Sequence, residues 1–477
     1  MKYSIYFLIS KKETKFYWKS SFVTLFVLLL FNACSPKVAP SINVSESDVV
    51  GTPLVVIPTL VEIHHVNVND GDATIIRIKF SDNTEKKILL DGGKPQPGNF
   101  LVPYINSVFP NSKFDYIILS HYHNDHYNGL FAIGDGSITG DYYIDLGGYS
   151  MRGYTKDAYL KLIQPKDTIC PWTDRDGIFD SSTFESFLEG LGSAVNKNRI
   201  TRYAAMSKPT DEISDLINVI IPLGTYTNSG VTYPIQLRCV GAWGFTLGAG
   251  GVAVDNWNKG ASKNDPTLAF VLECGAFRYF LGGDMGGQAS GSYIDQETTL
   301  IQGFQAIYTG SKTYFPKGAD PTTNGHICGF KANHHGSAHS NNAAFLGGMK
   351  PAVCITSVGD FTSWHLPSID FLNRLNATTS LTDSIVLPFN TRQGFFFTNL
   401  YNFPTKGVYP RTKGNTLFDT RANTAYDYNG KTIPIKGFVV RVAINDDLAT
   451  KSLFTVSRVL SDYSFPLPGA LLHCHSQ

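Results

Sequence analysis

Three histidines and an aspartate fall within six residues, His121 to His126, in the stretch Leu119-Ser120-His121-Tyr122-His123-Asn124-Asp125-His126-Tyr127-Asn128-Gly129-Leu130. Imidazole nitrogens and carboxylate oxygens hold zinc-like ions, and this density of them suits two adjacent ions. The segment follows the apolar run Tyr116-Ile117-Ile118-Leu119, which reads as a buried strand. Alternate side chains of an extended segment share a face, so His121 and His123 point the same way. Asp125 and His126 fall where the chain should turn into a helix, and so face a neighbouring point. A solvated polar turn is the bland alternative, but it gives no reason for four ligand-type side chains at the exit of a buried strand.

Other ligand-type residues sit at predicted strand ends. Upstream lie Val66-Asn67-Val68-Asn69-Asp70-Gly71-Asp72-Ala73 and Leu89-Leu90-Asp91-Gly92-Gly93. Downstream, Asn264-Asp265-Pro266-Thr267 leads into a strand to Glu273, then Phe277 to Leu281 exits through Gly282-Gly283-Asp284. Lys331-Ala332-Asn333-His334-His335-Gly336-Ser337, Ser357-Val358-Gly359-Asp360 and His365 complete the series. The spacing His-x-His-x-Asp-His resembles the signature of the metallo-β-lactamase superfamily. With the later His-His-Gly-Ser and His365, the series is similar to the ComEC-type hydrolase domain of DNA-uptake proteins, over about Val61 to Phe371 with two long insertions.

The resemblance implies an α/β fold, a four-layer αββα sandwich with metals at one edge between the sheets. It implies that His121 and His123 hold a first ion, that Asp125 and His126 hold a second, and that Asp284 bridges them. His334 is the expected late ligand of the second ion, with His335 the alternative. The family's usual third ligand of the first ion is missing, because no histidine occurs from Tyr127 to Gly325. Water, a substrate oxygen or another residue such as His365 would complete that position. The implied cofactor is Zn²⁺, one ion or two, with Mn²⁺ an alternative. A hydroxide activated by the metal attacks phosphorus or a carbonyl. Asp125 belongs to this catalytic group, and His335 or His365 would donate to a non-bridging oxygen or the leaving group. Asp72 and Asp91 are candidates to orient metal-bound imidazoles, with turn capping as the equal alternative. His64 and His65 read as structural, and His473 and His475 as exposed at a frayed terminus.

The elements that must position these groups are mostly strands. Leu60 to Val68, Ala73 to Phe80, Lys87 to Leu90 and Asp115 to Leu119 alternate with glycine and aspartate clusters. Strands resume at Pro234 to Val240, Thr267 to Glu273, Phe277 to Leu281 and Ala352 to Ser357. Helices are expected at Thr183 to Val195 and near Leu366 to Asn376, with Pro367 in the first turn. The hydrolase domain is expected over 59–390, with insertions near 134–234 and 286–325. A strand-rich extension, 391–477, carries Gly437 to Ile444 and Leu453 to Val459, which complete the second sheet or form an appendage. Cys239, Cys274 and Cys354 lie in apolar runs and read as core packing.

Residues 1–33 read as a signal peptide: Lys11, Lys12, Lys15 and Lys19 precede the apolar run Phe22 to Phe31, which is too short to span a bilayer. Asn32-Ala33-Cys34-Ser35 resembles a lipoprotein cleavage site, so an exported chain tied to the membrane by a lipid on Cys34 is expected, with 34–58 as tether. The whole chain has net charge +1, and removal of a leader with five lysines and one glutamate leaves −3. Such a body lacks the overall footprint of a nucleic-acid binder. The expected substrate is a phosphodiester, whether small diester, nucleotide or DNA. The alternatives are lactone, thioester or β-lactam hydrolysis, or a non-catalytic surface-binding protein. No protein partner is inferred.

Overall fold

The computed structural model describes most of residues 56–476; residues 1–55, 147–185, 205–212, 258–263, 360–365, 383–393, 399–424 and 460–470, with shorter stretches, lie outside the description. The signal peptide, most of the tether, Cys34 and His365 are therefore outside it.

Two large sheets, of eleven and nine strands, carry the fold. One flank of the first runs β1 (Pro58–Val66), β2 (Thr74–Phe80), β3 (Glu85–Leu90), β4 (Phe114–Ile118), β5 (Gly140–Asp145) and β6 (Thr201–Ala204). β1 to β3 are antiparallel neighbours, and β3 to β6 are parallel. In the second sheet, Val231–Ala242, Ala269–Cys274 and Phe277–Leu281 pair antiparallel, then Gly329–Lys331, Val353–Thr356 and Phe395–Phe397 continue in parallel.

Period-two alternation builds both cores. Phe270, Leu272 and Cys274 face Val61, Ile63 and Ile88 in the core between the sheets. Ala269 and Val271 turn the other way, into a second core under Leu300, Phe304, Phe345 and Phe371. Those four belong to the helices Glu297–Ile307, Ala343–Met349 and Ile369–Ala377. On the far side of the first sheet, the helix Leu101–Val108 buries Leu101, Tyr104 and Ile105. The order is helix, sheet, sheet, helix, as the family resemblance implied. His64 and His65 split across the first sheet: His64 packs on Tyr104 and Phe109, and His65 reaches Tyr279 of the second sheet at 2.8 Å. Both are buried structural residues.

Several expectations need correction. Gly437–Ala443 and Lys451–Val459 join the first sheet, where Gly437–Ala443 pairs with β1. Val56 to Gln477 forms one unit, so the late strands are not an appendage. Leu471–Ser476 is paired on both sides, which removes the frayed terminus expected around His473 and His475. The expected insertion 134–234 supplies β5, β6 and Ile220–Asn228, all paired within the two sheets. Pro367 precedes the helix Ile369–Ala377, whose N-cap is Ser368, accepting from the Phe371 amide.

Candidate metal centre

The candidate ligands converge where strands of both sheets end. β4 ends at Ile118, and Leu119 and Ser120 deliver His121, His123 and the short helix Asn124–Tyr127. β3 ends into Asp91, whose amide donates to the Ile118 carbonyl. Phe277–Leu281 exits into Asp284, and Gly329–Lys331 exits into Asn333-His334-His335-Gly336. Two glycines permit the close approach of these loops. A Cβ on Gly71, at φ +100, would meet the Asp125 carbonyl oxygen at 1.8 Å. One on Gly282 would meet Asn333 Oδ1 at 2.0 Å.

Asp284 is 1 % exposed and stands between two sets of imidazoles. Its Oδ1 lies 3.3 Å from His126 Nε2 and 3.5 Å from His335 Nε2. Its Oδ2 lies 3.7 Å from His121 Nε2 and 3.9 Å from His334 Nε2. Asp125 Oδ2 closes the first set, 3.3 Å from His335 Nε2. His123 Nδ1 closes the second, 3.1 Å from His121 Nε2. Ligand atoms about 2.1 Å from one ion at tetrahedral corners stand roughly 3.4 Å apart. The edges around Oδ1 match that figure closely.

The outer nitrogens fix which way the lone pairs point. His335 Nδ1 lies 3.1 Å from the Ser357 carbonyl, which only accepts, so Nδ1 carries the proton and Nε2 is free to coordinate. His126 Nδ1 donates to Asp91 Oδ2 at 2.8 Å. Ser120 Oγ gives its own proton to Asp91 at 2.7 Å, so it accepts from His121 Nδ1 at 3.0 Å. Buried His126 Nε2, His335 Nε2 and Asp284 Oδ1 thus face one another with no hydrogen bond among the described residues. Orphaned buried acceptors converging on one point are costly unless a cation fills it. The residues fit a metal.

Asp72 also falls within 4.8 Å of this group through its ligand atoms. Its oxygens, however, face the outer Nδ1 atoms of His126 and His335, at 3.8 and 3.5 Å, and Lys331 Nζ donates to it. It therefore supports the imidazoles from outside, as Asp91 does. Lys331 also donates to the Gly283 carbonyl at 2.8 Å, tying the floor of the site to the loop of Asp284. Neither Lys331 nor Ser120 stood out in the sequence; a lone lysine inside the apolar run Gly329–Ala332 was the available signal.

The charge states divide along the same line. Burial works to lower His126, but Asp284, Asp91 and Asp125 outweigh it and hold it well above the usual histidine range. His335 behaves likewise under Asp284 and Asp72. Burial, with His126 nearby, pushes His121 well below that range, and burial brings His334 to about 4. Around Oδ1 the protein demands positive charge; around Oδ2 it holds neutral imidazoles.

Of the residues expected as ligands, His121, His123, Asp125, His126 and Asp284 come together. His335, rather than His334, shares the Oδ1 side with His126 and Asp125. Its Nδ1 meets the Ser357 carbonyl and its Nε2 turns to Asp284 and Asp125, an arrangement that suits a ligand more than a donor to a leaving group. His334 lies across Asp284, on the side of His121. His365 lies outside the described residues.

The family model described as the Metallo-beta-lactamase superfamily matches residues 66–196, which hold Asp72, Asp91 and the whole histidine cluster. Among solved structures, the metallo-beta-lactamase fold protein YhfI from Bacillus subtilis is similar at 11% identity and a TM-score of 0.30, over 66% of this chain and 93% of that one. A long form RNase Z from yeast shares 12% identity at a TM-score of 0.31, over 65% of this chain and 38% of the yeast enzyme. A diphosphatase of the PhnP family shares 10% identity at a TM-score of 0.27, over 63% and 85% of the two chains. Likeness at this level says nothing of substrate. No curated protein matches the chain. Over residues 66–196 the chain is thus similar to the metallo-beta-lactamase superfamily, and its two-sheet α/β fold is consistent with that family's sandwich.

Proposed function

We propose that this protein is an exported, metal-dependent hydrolase of phosphodiester bonds, of the ComEC-type branch. The observation that carries the reading is Asp284, whose two oxygens face separate sets of coordinating nitrogens. A carboxylate shared in this way suits two ions side by side, and paired ions suit in-line displacement at phosphorus because they act on both the attacking and the leaving oxygen. Bound divalent ions, Zn²⁺ or Mn²⁺, would supply a water nucleophile at neutral pH and neutralise charge on the departing group.

The chain's own residues supply the frame. Asp125, His126, His335 and Asp284 would hold one ion, and His121, His123 and Asp284 the other. Asp91, Ser120, Asp72 and the Ser357 carbonyl keep the imidazoles in the coordinating tautomer. Asp125 and Asp284 are held well below the usual carboxylate range: burial opposes ionisation, and the neighbouring histidines, His126 foremost, overcome it. Both are therefore ready to bind a cation at neutral pH. The role of His365 as a donor to the leaving group belongs to this proposal, as do export through residues 1–33 and a lipid on Cys34.

The test of the reaction is turnover of bis-p-nitrophenyl phosphate and of single- and double-stranded DNA, with Zn²⁺ or Mn²⁺, beside nitrocefin. Cleavage of the diester, abolished by chelator, is expected. Nitrocefin hydrolysis without diester turnover under either metal would overturn it. Cleavage of the small diester but not of DNA would fit the −3 body and discard only the nuclease. For location, mass spectrometry of the mature amino terminus should find a lipidated Cys34, and an unmodified terminus elsewhere would rule out the anchor.

A further inference from the structure

His334 and His335 are consecutive, the first partly buried and the second buried, and they face different oxygens of Asp284. The backbone explains how. His334 adopts φ 48, ψ 49 and His335 φ 51, ψ 25, and Gly336 follows at φ 77. Neighbouring side chains of a strand point to opposite faces, whereas a helical turn separates them by about 100°. A left-handed turn therefore lets two adjacent imidazoles straddle one carboxylate.

Left-handed conformations are costly for residues other than glycine and persist where surrounding structure enforces them. Here the enforcement is dense. Asn333 Nδ2 donates to Glu297 Oε1 at 2.7 Å, and Asn341 brackets Asn333 with two bonds of 2.9 Å. The His334 amide donates to the Gly283 carbonyl at 3.0 Å, one residue from Asp284. The turn is locked to the loop of the bridging aspartate.

On the Oδ2 side the family's usual third histidine is absent, since the chain has none from Tyr127 to Gly325. His334 Nε2 lies 3.9 Å from Asp284 Oδ2, against 3.7 Å for His121 Nε2. Asn264 Nδ2 stands 3.0 Å from the same Nε2; with the amide donating, Nδ1 carries the proton and Nε2 the lone pair, which an ion would take in place of the amide. That is the tautomer an Nε2 ligand needs. We propose that His334 is the third protein ligand of the first metal position, so that one vicinal histidine pair serves both ions, His334 the first and His335 the second. The inference rests on the metal-centre reading above and concerns which residue completes it.

The test uses the full chain with Zn²⁺ and, separately, Co²⁺ as probes. His334→Gly removes the imidazole and places a residue that accepts the left-handed turn, so loss of fold does not mimic loss of a ligand. Unfolding of the metal-free variant, matched to wild type, verifies this. Wild type should take up two ions. His334→Gly should keep one and bind the other on the order of 100-fold or more weakly. Millimolar free imidazole should restore the second Co²⁺ equivalent and its absorption band. Two ions bound by His334→Gly with wild-type affinity would overturn the assignment. So would a single-ion wild type whose affinity falls with His126→Ala but not with His334→Gly. Wild type that takes up no ion at all would instead overturn the metal-centre reading itself.

Discussion

Around Oδ1 of Asp284, each imidazole is held from behind by a fixed acceptor: His126 by Asp91 and His335 by the Ser357 carbonyl. Around Oδ2 the support is thinner. His121 is held through Ser120, whereas His334 Nδ1 is buried with no hydrogen-bond partner among the described residues, and its side chain is 14 % exposed. The imidazole nitrogens stand closer to the carboxylate on the Oδ1 side, at 3.3 and 3.5 Å against 3.7 and 3.9 Å on the Oδ2 side. One half of the centre is braced from behind; the other is held more loosely. The contrast sets an expected order of loading, in which the Oδ1 position would fill first and more firmly.

Asp284→Asn should erase the contrast, because both halves lose their shared negative charge. Elemental analysis should find at most one ion, and diester turnover should fall on the order of 10³-fold. Unchanged stoichiometry and rate would show the aspartate to be incidental. Next in size, His126→Ala should abolish tight binding of the first equivalent of Zn²⁺, while His123→Ala should keep one tightly bound ion. Equal losses in competition with a chelator would refute the loading order.

Asp91→Asn leaves every ligand in place and replaces an acceptor of the His126 proton with an amide. Metal affinity on the Oδ1 side should fall about 10–100-fold, as expected when an orienting partner is lost. A change confined to the Oδ2 side would place Asp91 elsewhere in the network.

The smallest effect concerns the pH dependence of the scaffold beneath the site. Burial, with Lys331 nearby, lowers His65 from 6.5 to about 3, and its Nε2 shares a 2.8 Å hydrogen bond with the Tyr279 hydroxyl. The folded state resists protonation there, so its contribution is complete above pH 6.5 and is lost as pH falls toward the folded value. His65→Gln cannot titrate. The stability difference between wild type and variant, from urea melts at pH 7.5 and 5, should therefore shrink by about 1 kcal/mol per pH unit below 6.5. A constant difference would mean that His65 titrates in the fold as it does in the unfolded chain.

What could be read from the sequence was what is local. His121 to His126 are delivered by one strand and one turn, so spacing alone reveals them. Asp284 follows a strand and two glycines, and its place at a sheet edge was legible for the same reason. The division of His334 from His335 was not, because it depends on a left-handed turn enforced by Glu297 and Asn341. Nothing adjacent to the pair announces that turn. Lys331 and Ser120 were missed because their roles exist only once two sheets meet. β5, β6 and Ile220–Asn228 were hidden in a stretch of weak alternation, where pairing with neighbours overrides local pattern. The late strands were recognised, but their partner lies hundreds of residues away.

That distant partner has a consequence for how the chain comes to be folded. β1 sits inside the eleven-strand sheet with β2 on one side and Gly437–Ala443 on the other. The second pairing closes a loop of nearly the whole described chain, a slow step that local hairpins do not share. Until residue 437 has been made and docked, β1 presents a row of unpaired backbone groups, the kind of edge that recruits other chains. A chain truncated before Gly437 would keep every proposed metal ligand and still aggregate through that open edge, so the last strands guard the solubility of a centre they never touch.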